Sequence, residues 1–309
     1  MKVVFMGTPD FAVNTLEAIV KAGHEVAAVV TQPDKPQGRS GKLKFPPVKE
    51  KALEYGIPVY QPVKIRQSDV AEELKKINPD VIVVVAFGQI IPSDILKMPR
   101  YGCVNVHASL LPKYRGAAPI QWAVINGDKE TGVTTMQMDE GIDTGDMLLV
   151  EKYELAPDET GGSLFDRLAE IGANLLADTL DGLEKGTITP VPQSGEATHV
   201  GKLDKQTGCI DFGKKAVEIE RLIRGLNPWP SAFTHINGKT LKVWKAGIDE
   251  TDCSDYEPGT VYKIDKNYIY VAAGDNGLII EELQLEGKKR MTAGAFMLGY
   301  DVPVGTRLG

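Results

Sequence analysis

His107 is one of only four histidines in the chain, and it stands two residues after Asn105 in the run NVHASLLPKYRGAAPIQWAVING, residues 105–127. In a strand alternate side chains share a face, so Asn105 and His107 point one way while Val104 and Val106 pack on the other. The pair offers amide donors beside an imidazole that donates or accepts a proton. A carboxylate to complete the group is available in TTMQMDEGIDTGDML, residues 134–148, which holds Asp139, Asp143 and Asp146. Their spacing does not match the D-x-D-x-D-G calcium loop with its distal glutamate, so no metal is expected. One of these carboxylates is expected instead to reach back to His107 and hold its tautomer, as a third group orients a catalytic base. No serine or cysteine nucleophile stands at the same place. Cys103 shares the face of Asn105 but lies further from the strand end, where a cysteine is a small core residue. Such a trio suits direct transfer between two bound molecules. Asn105 and His107 donate to a developing oxyanion, and Asp143 orients His107 and accepts a proton.

The elements that must position these groups read as alternating strands and helices. KVVFMG (residues 2–7), EVAAVVTQ (25–32), DVIVVVAFG (80–88) and GCVNVHAS (102–109) are apolar runs of strand length. VIVVVAF (81–87) is apolar on both faces, as a central parallel strand covered by helices is. Between them, FAVNTLEAIVKAG (11–23) closes on Gly23, and SDVAEELKKINP (68–79) opens with Ser68 as its cap and stops at Pro79. This is an α/β plan, a Rossmann-like, open and mostly parallel sheet with its ligand site at the carboxyl edge of the strands. GTPDF (7–11) occupies the usual place of a phosphate loop, but no second or third glycine follows, so the dinucleotide fingerprint is absent. A later amphipathic helix, SLFDRLAEIGANLLADTLDGLEKG, opens with Ser163 and carries Leu164, Leu168, Ile171 and Leu175 on one stripe.

Residues 1–186 are therefore expected as one catalytic domain, and residues 187–205, rich in Pro, Gly, Thr and Ser, as a linker along the surface. From 206 to 309 the pattern changes. A short helix in KKAVEIERLIRGLN (214–227) precedes alternating runs and a GDNG turn (274–277), which predict an antiparallel β-barrel of OB-like type.

With 309 residues, 42% hydrophobic and 25% charged, the chain has room for two ordinary domains. A formal charge of -7 and a pI near 5.3 exclude a surface that binds nucleic acid everywhere, but leave room for a local basic patch. Three scattered cysteines, Cys103, Cys209 and Cys253, suggest neither a disulfide framework nor a zinc site. The first apolar run is too short for a signal peptide or a membrane span, so a cytoplasmic protein without a membrane partner is expected.

The densest basic stretch is DKPQGRSGKLKFPPVKEK, residues 34–51, with Lys35, Arg39, Lys42, Lys44, Lys49 and Lys51 against Asp34 and Glu50. A loop of this length without regular structure is uncommon in a compact domain unless it is functional, and its charge suits phosphate contacts. A second group, Lys205, Lys214, Lys215, Arg221, Arg224, Lys239, Lys242 and Lys245, opens the β module and makes it a candidate RNA platform. Trp229, in NPWP, reads as a packing anchor.

MGTPDFA (6–12), NVHASLLPKYRGAAPIQWAVING, TGVTTMQMDEGIDTGDML (131–148) and GLNPWPSAF (225–233) together closely resemble the methionyl-tRNA formyltransferase family, in order and spacing over essentially the whole chain. The HASLLPKYRG core alone resembles the wider 10-formyltetrahydrofolate-dependent formyltransferases, and the C-terminal half narrows the likeness. The resemblance implies transfer of a formyl group from 10-formyltetrahydrofolate to the α-amine of methionine on initiator methionyl-tRNA, for translation initiation. Direct amine attack is implied, with no covalent enzyme intermediate and no metal. It implies that Asn105, His107 and Asp143 are catalytic. It also implies that Ser109, Leu110, Leu111 and Pro112, with Phe87, Gly88, Gln89 and Ile90, line the folate pocket. Arg39 sits at the matching arginine of P-x-G-R and is expected at the tRNA acceptor stem, with Lys42 and Lys44 of the same loop beside it. A monomer is expected. Two rivals stand against this reading. A formyltransferase acting on a small amine, such as an amino-sugar nucleotide, has no use for the basic loop or the β module. A non-catalytic RNA-binding protein has no use for three intact polar groups at one site.

Overall fold

The computed structural model describes residues 1–37 and 42–309. The chain forms two compact units, the first from residues 1–116, 130–154 and 165–200 and the second from 117–129, 155–164 and 201–309. The first opens with β1 (Lys2–Gly7), α1 (Asp10–Lys21), β2 (Glu25–Val30), β3 (Lys35–Gln37), β4 (Lys42–Lys44), α2 (Pro47–Glu54) and β5 (Val59–Tyr60). It continues through α3 (Val70–Ile77), β6 (Val81–Val85), α4 (Ser93–Leu96), β7 (Cys103–His107) and β8 (Arg115–Gly116). After α5 (Pro119–Asn126), which belongs to the second unit, come β9 (Glu130–Gln137), β10 (Met147–Glu154), α6 (Gly161–Lys185) and β11 (His199–Val200).

Seven strands make the main sheet, in the order β10–β9–β7–β6–β1–β2–β5. The five from β7 to β5 are parallel; β9 runs antiparallel to β7, and β10 to β9. The open, mostly parallel sheet expected from the sequence is present, with β5, β9 and β10 added to the four strands legible there. All five residues of β6 are buried, as its apolar run requires. Each such Val or Ile contributes roughly 1.5–3 kcal/mol relative to exposure. On one face Val4, Met6, Ala28, Val30, Ile82, Val84 and Cys103 pack with Leu74, Phe87, Ile95 and Leu96. Because side chains alternate along β7, Asn105 and His107 continue that face where the apolar row ends. The other face meets α6: Val106 pairs with Thr135 in the ladder, and the Thr135 and Thr179 hydroxyls lie 2.8 Å apart.

Several local expectations shift. Thr160, rather than Ser163, caps α6, because its hydroxyl accepts the Ser163 N–H (3.0 Å) and its own N–H reaches Ser163 Oγ (2.9 Å). Asp69 precedes α3, while the Ser68 hydroxyl donates to the Ile65 carbonyl. The basic stretch 34–51 is not structureless. β3 and β4 pair as an antiparallel hairpin, Lys35 opposite Lys44, and Pro47 opens α2 at a position where its missing N–H costs nothing. Arg39 lies outside the described residues.

Residues 187–200, read as linker, are hydrogen-bonded into the first unit. Met147 and Val191 exchange backbone bonds of 2.8 and 2.9 Å, and β11 pairs in parallel with β8.

The second unit adds α7 (Ala216–Gly225), β12 (Ala232–Ile236), β13 (Lys239–Asp252), β14 (Val261–Ile264), β15 (Ile269–Ala272), β16 (Asn276–Leu285), β17 (Met291–Thr292) and α8 (Ala293–Met297). Its sheet is antiparallel in the order β12–β13–β16–β15–β14, with β17 on β16. Among the described residues the end strands β12 and β14 are not paired with each other. Ile219, Ile223, Leu241, Val243, Val261, Val271, Leu278, Ile280 and Phe296 form its core. The unit also takes in α5, whose Ile125 lies against Gly225 of α7, and residues 155–164, where Arg224 Nη1 donates to the Glu159 carbonyl at 2.7 Å. Trp229 is 61% exposed, so it anchors no core. Among the described residues no helix is long and apolar enough to cross a membrane.

Candidate active site

His107 ends β7 with its side chain 7% exposed. Its Nε2 lies 2.9 Å from the Tyr114 carbonyl oxygen. A carbonyl only accepts, so Nε2 carries a proton and donates it there, and Nδ1 is left to face Asp143. Nδ1 and Asp143 Oδ2 are 3.7 Å apart, an ion-pair separation rather than a hydrogen bond. The tautomer is thus set by Tyr114 and not by the carboxylate. Asp143 Oδ2 accepts the Gly116 N–H at 2.8 Å, which leaves its second oxygen available. Asn105, two residues back on the same face, is 9% exposed and makes no side-chain hydrogen bond among the described residues. Its amide keeps access to solvent, and its two N–H donors are available to a ligand.

The loop after β9 brings one aspartate of the three to His107. Asp139 Oδ1 accepts from Gly141 N (3.0 Å) and Thr144 Oγ1 (2.6 Å), which closes the turn. The Asp146 carbonyl accepts the Gln137 N–H at 2.8 Å and seals the root of the loop. Glu140 receives Ser93 Oγ (2.8 Å) and Lys97 Nζ (3.3 Å), and those two bonds, Ser93 first, hold its carboxyl below the usual range. A side chain at Gly145 would run into the Gln137 carbonyl, so the close approach demands glycine. Asp143 itself sits at φ 52, a backbone region that side-chain-bearing residues adopt rarely and Asp and Asn most readily.

Around this centre the other predicted residues divide by what their side chains already hold. The Ser109 hydroxyl donates to the Lys113 carbonyl (2.6 Å). Thr134 Oγ1 donates to the Ser109 carbonyl (2.7 Å) and accepts from Leu111 N (3.2 Å), knitting the turn to β9. Leu111 is buried; Leu110 and Pro112 are half-buried. Phe87 packs into the sheet-face core, while its carbonyl accepts from Thr8 Oγ1 (3.2 Å) and Gln32 Nε2 (3.1 Å). Gln89 is committed to Ile65 N (2.7 Å) and the Pro62 carbonyl (3.1 Å). Gly88 adopts φ 80, and Ile90 is 65% exposed. Burial pushes the Cys103 thiol up to about 12, which removes it as a nucleophile.

In the basic stretch Lys49 bonds Asp34 and Gln61, and Lys51 pairs with Glu17 and Glu54, so neither is a free cation. Lys35 and Lys44 are exposed, and Lys42 stands opposite Gln37 in the hairpin ladder. Of the second basic group, Arg224 is paired with Glu220 and Lys245 with Glu281. Among the described residues no group of three or more His, Cys, Asp or Glu could hold a metal ion.

Sequence reasoning missed Tyr114, Gly116 and Gln193. The first two act through backbone atoms, and the third lies in a stretch with no periodic pattern, so no local signal marks them.

Residues 1–180 match the formyl transferase family, and residues 202–301 match the formyl transferase, C-terminal domain, family. Over 308 residues, 99% of each chain, the sequence is 63% identical to the methionyl-tRNA formyltransferase of Agathobacter rectalis. Among solved structures, HypX from Aquifex aeolicus in complex with tetrahydrofolic acid is similar at 19% identity and TM-score 0.64, over 97% of this chain and 47% of that one. The N-formyltransferase from Helicobacter canadensis, in complex with folinic acid and dTDP-3-aminofucose, is similar at 21% identity and TM-score 0.67, over 91% of this chain and 98% of that one. At such identities these two structures show a shared fold alone.

Proposed function

The chain belongs to the methionyl-tRNA formyltransferase family, and from that premise we propose that it formylates the α-amine of methionine on initiator methionyl-tRNA, with 10-formyltetrahydrofolate as donor. We read it as a monomer working in the cytoplasm. The observation that carries the proposal is the unpartnered Asn105 amide on the same sheet face as a His107–Asp143 pair 3.7 Å apart.

The amine nitrogen forms a bond to the formyl carbon, and the bond from that carbon to folate N10 then breaks. A free α-amine has a pKa near 7.7–8.0, so a usable fraction is already neutral at pH 7. Asn105 donates to the formyl oxygen as negative charge develops there; one such donor is worth roughly 10²–10³ in rate. His107, its Nε2 proton fixed by Tyr114, presents the Nδ1 lone pair to the same region, 3.7 Å from Asp143 Oδ2. The Asp143 oxygen not engaged by Gly116 accepts the proton that the amine loses. As it leaves, the folate nitrogen takes up the proton that Asp143 accepted, so the carboxylate ends in its starting charge. The Ser109–Pro112 turn and the Phe87–Ile90 segment hold the folate mainly through backbone groups and the Leu110 and Ile90 side chains. Arg39, Lys42 and Lys44 contact the acceptor stem, and exposed Lys35 stands opposite Lys44 in the hairpin.

The test is transfer of labelled formyl from 10-formyltetrahydrofolate to methionyl initiator tRNA, methionyl elongator tRNA and an amino-sugar nucleotide, side by side. Label on the initiator tRNA alone is the expected result. Label on the sugar instead transfers the same chemistry to a small amine, and label on none of them removes the catalytic reading.

A further inference from the structure

We propose that Gln193 is a positioning residue of this site, one side-chain amide that holds the Asp143 loop and the His107 anchor loop at a fixed separation. The inference rests on the formyl-transfer reading for its kinetic consequence, though not for its geometry. Gln193 Nε2 donates to the Asp143 carbonyl and to the Gly145 carbonyl, each at 2.8 Å. Its Oε1 accepts from Arg115 Nε at 3.1 Å and Nη2 at 2.7 Å. Both amide hydrogens and both oxygen lone pairs are therefore used, the full capacity of the group. A guanidinium only donates and a carbonyl only accepts, so just one orientation of the amide satisfies all four bonds.

Arg115 lies between the two residues that fix the catalytic pair. Tyr114 supplies the carbonyl that sets the His107 tautomer, and Gly116 supplies the N–H that holds Asp143 Oδ2. The same short segment is braced from the other side, where Tyr114 N donates to Thr198 Oγ1 (2.8 Å) and Arg115 N to the Thr198 carbonyl (2.8 Å). Gly116 sits at φ 102 against the Val200 carbonyl, where no side chain fits. Asp143 at φ 52 is a backbone that persists only where its surroundings over-determine it, and two bonds from Gln193 fall on the carbonyls of Asp143 and Gly145. The 3.7 Å between His107 and Asp143 is thus a distance between the end of β7, anchored on the Tyr114 carbonyl, and the Asp143 loop, and Gln193 bonds both that loop and Arg115 beside the anchor. A misplacement of about 1 Å in such a site costs on the order of 10²-fold in rate.

Gln193→Glu in the full chain is the informative variant. A carboxylate keeps its attraction for Arg115 but offers no donor to the two carbonyls. With rates normalised to folate-binding sites, kcat for formylation of methionyl initiator tRNA is expected to fall about 10²-fold. KM values for folate and tRNA are expected to stay within about threefold, since no substrate contact is removed. Placed in an Asp143→Asn background, the same change is expected to cost clearly less than in the wild-type background, because the carboxylate it positions is gone and only the His107 anchor remains. Arg115→Lys, which keeps the charge and loses the two-point grip, is expected to lower kcat in the same direction.

A readout independent of activity is the ring-nitrogen NMR signal of His107, assigned by its loss in His107→Ala. It is expected to move in Gln193→Glu as it moves in Asp143→Asn. Wild-type kcat with an unmoved His107 signal, or a full multiplicative loss in the Asp143→Asn background, would overturn the positioning role. A wild-type chain that transfers no formyl would sink the formyl-transfer reading instead, and the His107 signal would still decide the role of Gln193.

Discussion

At the scale of single residues, one intervening valine is enough to place Asn105 and His107 together, because strand geometry returns to the same face every second residue. The chemistry then depends on which polar atoms the fold leaves free. His107 Nε2 is taken by Tyr114, one oxygen of Asp143 is taken by Gly116, and the Asn105 amide is taken by nothing among the described residues. Asn105→Ala is therefore expected to lower formyl transfer roughly 10²–10³-fold. The same change is expected to leave the thermal midpoint within a few degrees of the wild-type value, since it breaks no side-chain hydrogen bond among the described residues. Turnover and a circular-dichroism melt on one preparation check both halves. Asn105 and His107 are legible in the sequence because side-chain type and strand period announce them, whereas Asp143 is one of three aspartates in its loop, and the fold brings it to 3.7 Å from His107. Tyr114 is not legible, since any residue has a carbonyl, and Gln193 becomes meaningful only when the chain returns to the loops it bonds.

At the scale of elements, the hairpin of β3 and β4 is fixed at its root by a closed network. Lys49 Nζ reaches both oxygens of Asp34 (2.9 and 2.7 Å) and Gln61 Oε1 (2.8 Å), while Gln61 Nε2 reaches Asp34 Oδ1 (2.7 Å) and the Gln32 carbonyl (2.9 Å). Asp34 and Lys49 flank the hairpin, so their pairing joins its two ends. Lys49→Met is expected to raise KM for charged initiator tRNA several-fold and to leave KM for folate unchanged, measured under steady-state conditions. The Gln61 bond first, and Lys49 second, hold the Asp34 carboxyl below its usual range. A carboxylate lowered on folding gives its support above its unfolded pKa and loses it only as pH falls through the lowered folded value. The Lys49→Met effect on KM is therefore expected to be the same at pH 7.5 and pH 5.5.

A second element, α6, takes its first turn from the reciprocal Thr160 and Ser163 bonds. Thr160→Ala is expected to cost about 1 kcal/mol in urea unfolding. The period of α6 is plain in the sequence, but its start is hidden by Gly161 and Gly162, which read as breakers although they occupy the first turn. β5 is two residues long and α2 begins at a proline, so neither shows the periodicity that marks an element.

At the scale of the whole molecule, the alternation of strands and helices and the later change to antiparallel strands are both legible, because each rests on local period. The membership of the two units is not. α5 and residues 155–164 lie in the midst of the first unit's sequence yet belong to the second, and residues 187–200 belong to the first despite their linker-like composition. Long-range packing decides this: Ile125 meets Gly225, Arg224 reaches Glu159, and β11 pairs with β8. A net charge of -7 fits an RNA substrate only when cations are locally concentrated, and the pairing of Lys49, Lys51, Arg224 and Lys245 narrows where that concentration lies.

Whether the β7 site moves a formyl group to charged initiator tRNA is decided by single-turnover formylation with the wild-type chain and with His107→Ala. Rapid transfer is expected from the wild type, and a rate at least about 10²-fold slower in His107→Ala at unchanged folate affinity. Equal rates in the two proteins would mean that His107 takes no part in the transfer.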